Sequence, residues 1–395
     1  MLLFKNANFI PELTENGLKH GDLLVDGAKI LQIAGNVEAQ NCETVDLKGE
    51  YLVPGFIDLH IHLNMSGNDV LYDNFKNNHF MTLESYAFAL DTLKAGFTTV
   101  RDLGSNDRSV NYIRDAIEKG ILPGPRIISC GKILTPTESG NDYFEKMYSE
   151  CDSADEVAKA ARVEMKYGAD FIKMMGSGAI MNPGGEPGSP ICTDEEIRTA
   201  VNTAKIKNKY VAIHAHSAEA INQAIKCKVR TIEHASLIDD EAIKKLHNNK
   251  ETYIVPTLTA FAELVALDNK GANFFREKAV TYCNIFKERM KKAYDSGVVM
   301  GFGTDQGVNN AFHGNNGNEF VYRKEWFHMS NIDILKQATI NSAMIAMIDD
   351  KVGEIKTGKY ADLVVLDGNP LDDISICKNH ISFVVKSGKI INGDE

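Results

Sequence analysis

The sequence predicts an α/β protein: a (β/α)8 TIM barrel carrying a small sheet domain assembled from both ends of the chain. Three observations carry this expectation. Apolar strand-like runs alternate with amphipathic helical stretches through the middle of the chain. Both ends are instead made of short strands and turns. The ionisable residues of the middle gather at the C-terminal ends of its strand-like runs, where barrels of this kind place their sites.

Residues 1–55 read as short strands: LLFKNANFI, then DLLVDGAKILQIAG with an Asp26-Gly27 turn, then TVDLKGEYLVPG. Residues 352–395 have the same texture, with GEIKTGKYADLVVLD followed by FVVKSGKIING and a Ser387-Gly388 turn. One composite domain from 1–55 and 352–395 follows, with residues 56–351 as the barrel. The barrel strands are expected in FIDLHIHL (56–63), FTTVRDLG (97–104), RIISCG (126–131), DFIKMMG (170–176), YVAIHAH (210–216), RTIEHA (230–235), TYIVPTL (252–258) and VVMGFGTD (298–305). Helical patterns such as LESYAFALDTLKAG, ADEVAKAARVEMKYG and TDEEIRTAVNTAKIKNK separate most of them. No G-x-G-x-x-G follows the first strand, which counts against a dinucleotide fold.

Composition narrows the function classes. The 395-residue chain has ample length for one large and one small domain, and its net charge of −11 argues against phosphate-backbone recognition. Seven scattered cysteines with no C-x-x-C pair fit reduced thiols. The N-terminus MLLFKNANFI reads as neither a signal segment nor a membrane span. The expectation is a cytoplasmic protein with a small-molecule substrate, no nucleic-acid or membrane partner, and room for a homo-oligomer.

The chemistry sits at the strand ends. Of eleven histidines, five lie on these runs: His60, His62, His214, His216 and His234. Residues i and i+2 of a strand share a face, so His60 and His62 both point into the barrel and make half of a zinc site. His214 and His234 end consecutive strands and suit a second metal. His216 reads as a substrate or oxyanion contact, and Asp305 as a ligand that also takes a proton from metal-activated water. Hydrogen-bonded core histidines and an Asp305 that caps its turn are the plainer alternatives. Lys173, in the apolar run GADFIKMMGSG, has two readings: an ammonium snorkelling to solvent, or a neutral amine that takes up carbon dioxide. The resulting carbamate would offer two oxygens to two metals.

Taken together, VPGFIDLHIHL, the Lys173 strand, HAH, IEHA, GTD and the closing GEIKTGKYADLVVLDGNPL resemble the metal-dependent amidohydrolase superfamily over essentially the whole chain. The resemblance implies a barrel flanked by a β-sandwich from both termini. By position, His60, His62, Lys173, His214, His234 and Asp305 match its binuclear ligand set. The implied cofactor is a pair of Zn2+ ions bridged by carboxylated Lys173 and a hydroxide that attacks the substrate. AGFTTVRDLG, GPRIISCGKILTPT and IKMMGSGAIMNPGGEP look like the branch with imidazolonepropionase relatives and dipeptidases.

Two departures from that branch shape the expected substrate. Relatives often carry a Gly-Gly-His-Gly run where this chain has Thr137-Glu138-Ser139-Gly140-Asn141-Asp142, and prolidase-like members tend to have Tyr at the position of His216. Glu138 and Asp142 are then placed at the mouth of the site, ready to pair a substrate cation. The expected activity is a binuclear zinc carboxypeptidase or dipeptidase on dipeptides or N-acyl amino acids ending in Arg or Lys. Alternatives are a prolidase, a cyclic-amide hydrolase of the imidazolonepropionase kind, and a non-catalytic scaffold. His313, in the loop after Asp305, is a further candidate substrate contact, and Arg101-Asp102 an internal ion pair at the rim.

Overall fold

The computed structural model describes residues 1–68, 73, 76–267 and 274–391. The last residues of the expected composite domain, 392–395, lie outside the described residues.

Both chain ends do meet in one sheet. Its eight strands include Leu2–Phe9, His20–Asp26, Lys29–Ala34 and Tyr51–Pro54 from the N-terminal side, and Leu363–Leu366, Ile381–Lys386 and Lys389–Ile391 from the C-terminal side. The join is Tyr51–Pro54. It runs antiparallel to Leu363–Leu366, with Val53 opposite Val364, and parallel to the end of Leu2–Phe9. Both turns expected from the sequence are present, one pairing Asp26 with Lys29 and the other Lys386 with Lys389. In the second, Ser387 and Gly388 both take positive φ (48° and 76°), as a two-residue hairpin of this hand demands. A Cβ on Gly388 would collide with the carbonyl oxygen of Gly27, so the two turns touch. The two halves of the sheet share an apolar core in which Phe4 stacks on Phe383, ring centroids 6.3 Å apart.

The middle of the chain contributes two all-parallel sheets. Phe56–Ile61, Phe97–Asp102 and Arg126–Ser129 form one; Ile133–Thr135, Tyr148–Glu150, Ile172–Met175, Val211–Ala215, Thr231–His234 and Tyr253–Val255 form the other. The short pair Ile133–Thr135 and Tyr148–Glu150 is an addition that the apolar periodicity did not announce. Helices between the strands begin on side-chain caps where the sequence supplies them: Ser153, the Thr193–Glu196 capping box, Ser217 and Asp239.

The run 298–305 departs from a regular strand. It keeps single bridges at Met300 and Gln306. Its backbone nevertheless spans the two sheets, through Gly301 N–H to Ile254 O (2.9 Å), Leu59 N–H to Phe302 O (2.8 Å) and Asp305 N–H to His60 O (2.7 Å). Glycine allows that close approach: a Cβ on Gly303 would lie 2.5 Å from a Val255 methyl and 3.0 Å from His60 Cβ. On the other side, Asp170 N–H donates to Ser129 O at 2.7 Å.

A buried ionic cluster ties the terminal sheet to the parallel strands. Asp362 accepts from Lys386 Nζ (2.7 Å), Arg126 Nη2 (3.2 Å) and the Ser387 N–H (2.8 Å), and its own carbonyl takes the Gly55 N–H. Burial pushes its carboxyl up, but Lys386 and Arg126 outweigh this and hold it below the ordinary carboxylate value. A depressed pKa stabilises the fold above the unfolded-state value and loses that contribution as pH falls through it. Asp362→Ala leaves Lys386 buried without its partner and is expected to cost about 3–5 kcal/mol. Urea unfolding at neutral pH checks this, and the difference between variant and wild type should shrink as the pH is taken below 4.

Candidate functional site

The five strand-end histidines, Lys173 and Asp305 line one cavity. His60 lies on, and His62 just after, a strand whose pairing slips between Asp58 and Ile61, so a bulge accompanies the simple alternation that would bring both rings in, 5.5 Å apart. His234 needs a larger correction. Glu233 points inward beside it, and strict alternation would turn His234 out. A left-handed backbone at His234 (φ 68°) and Ala235 (φ 51°) swings the ring back into the cavity. Asp305 is held the same way, with φ 61°. Non-glycine residues in this region are strained, and such strain gathers at functional sites.

Each histidine has one ring nitrogen anchored and the other turned to the cavity. His60 Nδ1 contacts Glu233 Oε2 (2.9 Å), His62 Nδ1 the Gly104 carbonyl (3.2 Å), His216 Nδ1 the Ser236 hydroxyl (2.8 Å) and His234 Nδ1 the Thr257 hydroxyl (2.8 Å). His214 is anchored by its other nitrogen, Nε2 to Gly178 O at 3.3 Å, so its Nδ1 is the free one. Burial keeps His62, His214, His216 and His234 neutral, with His62 lowered to about 4 and His216 to about 3. Neutral imidazole is the form that ligates metals.

One ligand-capable atom from each of His214, His216 and His234 lies within 4.8 Å of the others, and the same holds for His60, His234 and Asp305. His60 Nε2 and His62 Nε2 stand 3.3 and 3.5 Å from Asp305 Oδ1, a buried oxygen with no hydrogen-bond partner. With the Nδ1 proton of His60 given to Glu233, a lone pair on Nε2 faces that carboxylate. A positive charge belongs between them, supplied either by a proton on Nε2 or by a metal ion in its place. Burial lowers His60, yet Asp305 and Glu233 together hold it above its ordinary value, so the ring favours its protonated form and a metal ion would bind with release of that proton. The donor set therefore fits metal ions, with His214 and His234 on one side, His216 beside them, and His60, His62 and Asp305 on the other.

Lys173 sits in Ile172–Met175 and is 2% exposed. Burial brings its amine down to about 8, against the pull of Glu233. It lines the cavity with the histidines and does not snorkel to the surface.

Three expected substrate contacts fall elsewhere. Asp142 is exposed and Glu138 half-buried on a small adjoining cavity with Asn141 and Asn182, which shares Tyr148, Met175 and Ala179 with the central one; neither acid lines the central cavity. The adjoining wall is built instead from Ile133, Phe144, Met147 and Tyr148. His313 stacks on Phe88, with centroids 4.8 Å apart, and bonds the Met65 carbonyl. The Arg101–Asp102 ion pair is also replaced. Arg101 reaches Glu233 at 2.8 Å, while Asp102 accepts the Leu63 N–H and, protected from solvent, is raised to about 7. Glu233 and the anchors Ser236 and Thr257 were not singled out from the sequence. The signal for Glu233 lay in IEHA itself, as an acid one residue before a candidate ligand.

Parallel strands presenting neutral histidines and a buried carboxylate to one cavity define a hydrolytic α/β enzyme. The comparisons with known proteins make this specific: the chain belongs to the amidohydrolase family, whose profile matches residues 51–393. That family is generally metal-dependent, in keeping with the histidine–aspartate clusters. Among solved structures, a Xaa-Pro dipeptidase with methionine bound is 32% identical with a TM-score of 0.90, covering 99% of this chain and 100% of its own. A prolidase complexed with N-methylphosphonate-L-proline is 31% identical with a TM-score of 0.89, covering 99% of each chain. The ochratoxinase of Aspergillus niger is 26% identical over 372 residues, 87% of this chain and 76% of its own length. Among the described residues, no helix is long and apolar enough to cross a membrane.

Removing one anchor should loosen one ligand. Thr257→Val keeps the shape of the side chain but drops the bond to His234, and is expected to weaken metal affinity 10- to 100-fold or about that. Competition with a coloured chelator measures it; unchanged affinity would show that His234 needs no anchor.

Proposed function

We propose that the two parallel sheets, joined through 300–306, close into a (β/α)8 barrel of residues 56–351, flanked by a sandwich from 1–55 and 352–395. The reading of function rests on one observation: ligand-capable atoms of His214, His216 and His234, and of His60, His234 and Asp305, gather within 4.8 Å of one another. His60, His62, Lys173, His214, His234 and Asp305 would hold two divalent ions, zinc being the favoured pair for neutral imidazoles and oxygen anions. When bound, these supply a Lewis acid for an amide carbonyl and bring the pKa of water towards neutrality.

The chain's own groups do the rest. The Lys173 amine, brought down to about 8 by burial, adds in its neutral form to carbon dioxide and loses one proton, giving a carbamate with two ligand oxygens. Asp305 takes a proton from the attacking water and passes it to the leaving amine. His216, with the Ser236 hydroxyl donating to Nδ1, presents an Nε2 proton to the developing oxyanion.

The substrate is a dipeptide or N-acyl amino acid. An Arg or Lys preference needs an acid in the cavity, and Asp305 is the only one among the described lining residues. The apolar wall of Ile133, Phe144, Met147, Ile180, Met181 and Leu264 supports an apolar side chain or proline instead. The Xaa-Pro dipeptidase with bound methionine and the prolidase complexed with N-methylphosphonate-L-proline support the same reading. Hydrolysis of a dipeptide panel varied at its C-terminal residue tests it. Cleavage is expected for proline and apolar residues, whereas cleavage confined to Arg and Lys would restore the acidic-pocket reading.

Lys173→Ala is expected to lose metal and at least about 100-fold in turnover, with partial recovery of both in millimolar formate or acetate. Metal analysis with and without the added acid is the check. A variant that keeps its metal and its activity would leave Lys173 as a buried strand residue only.

A further inference from the structure

Away from the histidine, lysine and aspartate cluster, the described cavity wall is almost wholly apolar. Two hydroxyls interrupt it, those of Thr257 and Tyr148. Thr257 is committed to His234, 2.8 Å away. Tyr148 is not committed. The residue is 8% exposed, and among the described residues no hydrogen bond reaches its hydroxyl; burial alone acts on it, pushing the phenol up so that it stays a donor. The ring packs beside Phe144, centroids 5.3 Å apart. Phenylalanine would fill that space as well, so packing does not call for the oxygen. The Tyr148 hydroxyl is therefore open and, among the described residues, without a protein partner at the edge of a ligand cavity, where a ligand acceptor can take it.

We propose that Tyr148 determines specificity, donating its phenolic O–H to the C-terminal carboxylate of the dipeptide or N-acyl amino acid substrate. The assignment rests on the amide-hydrolase reading of the same cavity. It explains how an otherwise apolar wall accepts the polar end of such a substrate while its side chain lies against Ile133, Met147 and Met181. With no Arg and no Lys but Lys173 among the described lining residues, a neutral donor is what this wall offers a carboxylate.

Two probes that cannot be hydrolysed, N-methylsulfonyl-L-proline and N-methylsulfonylpyrrolidine, differ only in the carboxylate. Calorimetry on the metal-loaded wild type and on Tyr148→Phe gives four dissociation constants. The wild type is expected to prefer the acid about 10- to 100-fold, the usual worth of a hydrogen bond to a charged group. Tyr148→Phe should erase most of that preference and leave binding of the pyrrolidine probe within about twofold. Three results overturn the proposal: no preference in the wild type, a preference that survives in Tyr148→Phe, or equal weakening of both probes, which marks a structural role. If the preference behaves as expected but no dipeptide is hydrolysed, the hydrolase reading falls and the Tyr148 assignment stands.

Discussion

A guanidinium and a carboxylate wholly removed from water organise the centre of this protein. Arg101 spends its donors on Leu59 O (2.7 Å), Thr231 Oγ1 (3.0 Å) and Glu233 Oε1 (2.8 Å), and the other oxygen of Glu233 takes the ring of His60. Three strands, Phe56–Ile61, Phe97–Asp102 and Thr231–His234, are thereby pinned at one depth. Ion pairs this deep contribute little net stability against an apolar replacement, because both charges must shed their water. What this one supplies is orientation. It sets the proton on one nitrogen of His60 and frees the other.

From that point the site is assembled by constraints on single atoms. Anchors on the backbone or on neighbouring hydroxyls decide which nitrogen of each ring remains free, and left-handed backbone at His234 and Asp305 decides where two of the groups point. Such arrangements hold only because the surrounding strands over-determine them. The cavity is rigid around its histidines and apolar beyond them, a division of labour that suits amide substrates with a polar centre and an oily flank.

Much of this was legible from residue order alone. Alternating strand and helix patterns located the parallel strands to within a few residues, and clustering of His, Lys and Asp at their ends found the cavity. Glycine-rich 298–305 was harder, since Gly301 and Gly303 let it lie against its neighbours without a regular ladder. Strand alternation was right about His60 and His62, where a bulge accompanies it, and it gave no warning that His234 turns back beside Glu233. Glu138 and Asp142 are acids on a loop that follows a strand end, and His313 belongs to the loop after Asp305. Sequence proximity to a site does not say which way a loop faces, and the chain filled that wall with Phe144, Met147 and Tyr148.

The join between Tyr51–Pro54 and Leu363–Leu366 has a consequence for how the protein is made. A ribosome emits the first strand roughly 300 residues before its partner, so one edge of the N-terminal sheet stays open while the whole middle of the chain is produced. An open edge is a template for foreign strands. Yield in the cell then depends on translation speed and on whatever shields Leu52 and Val53 in the interval, quantities that a purified, refolded sample never reveals.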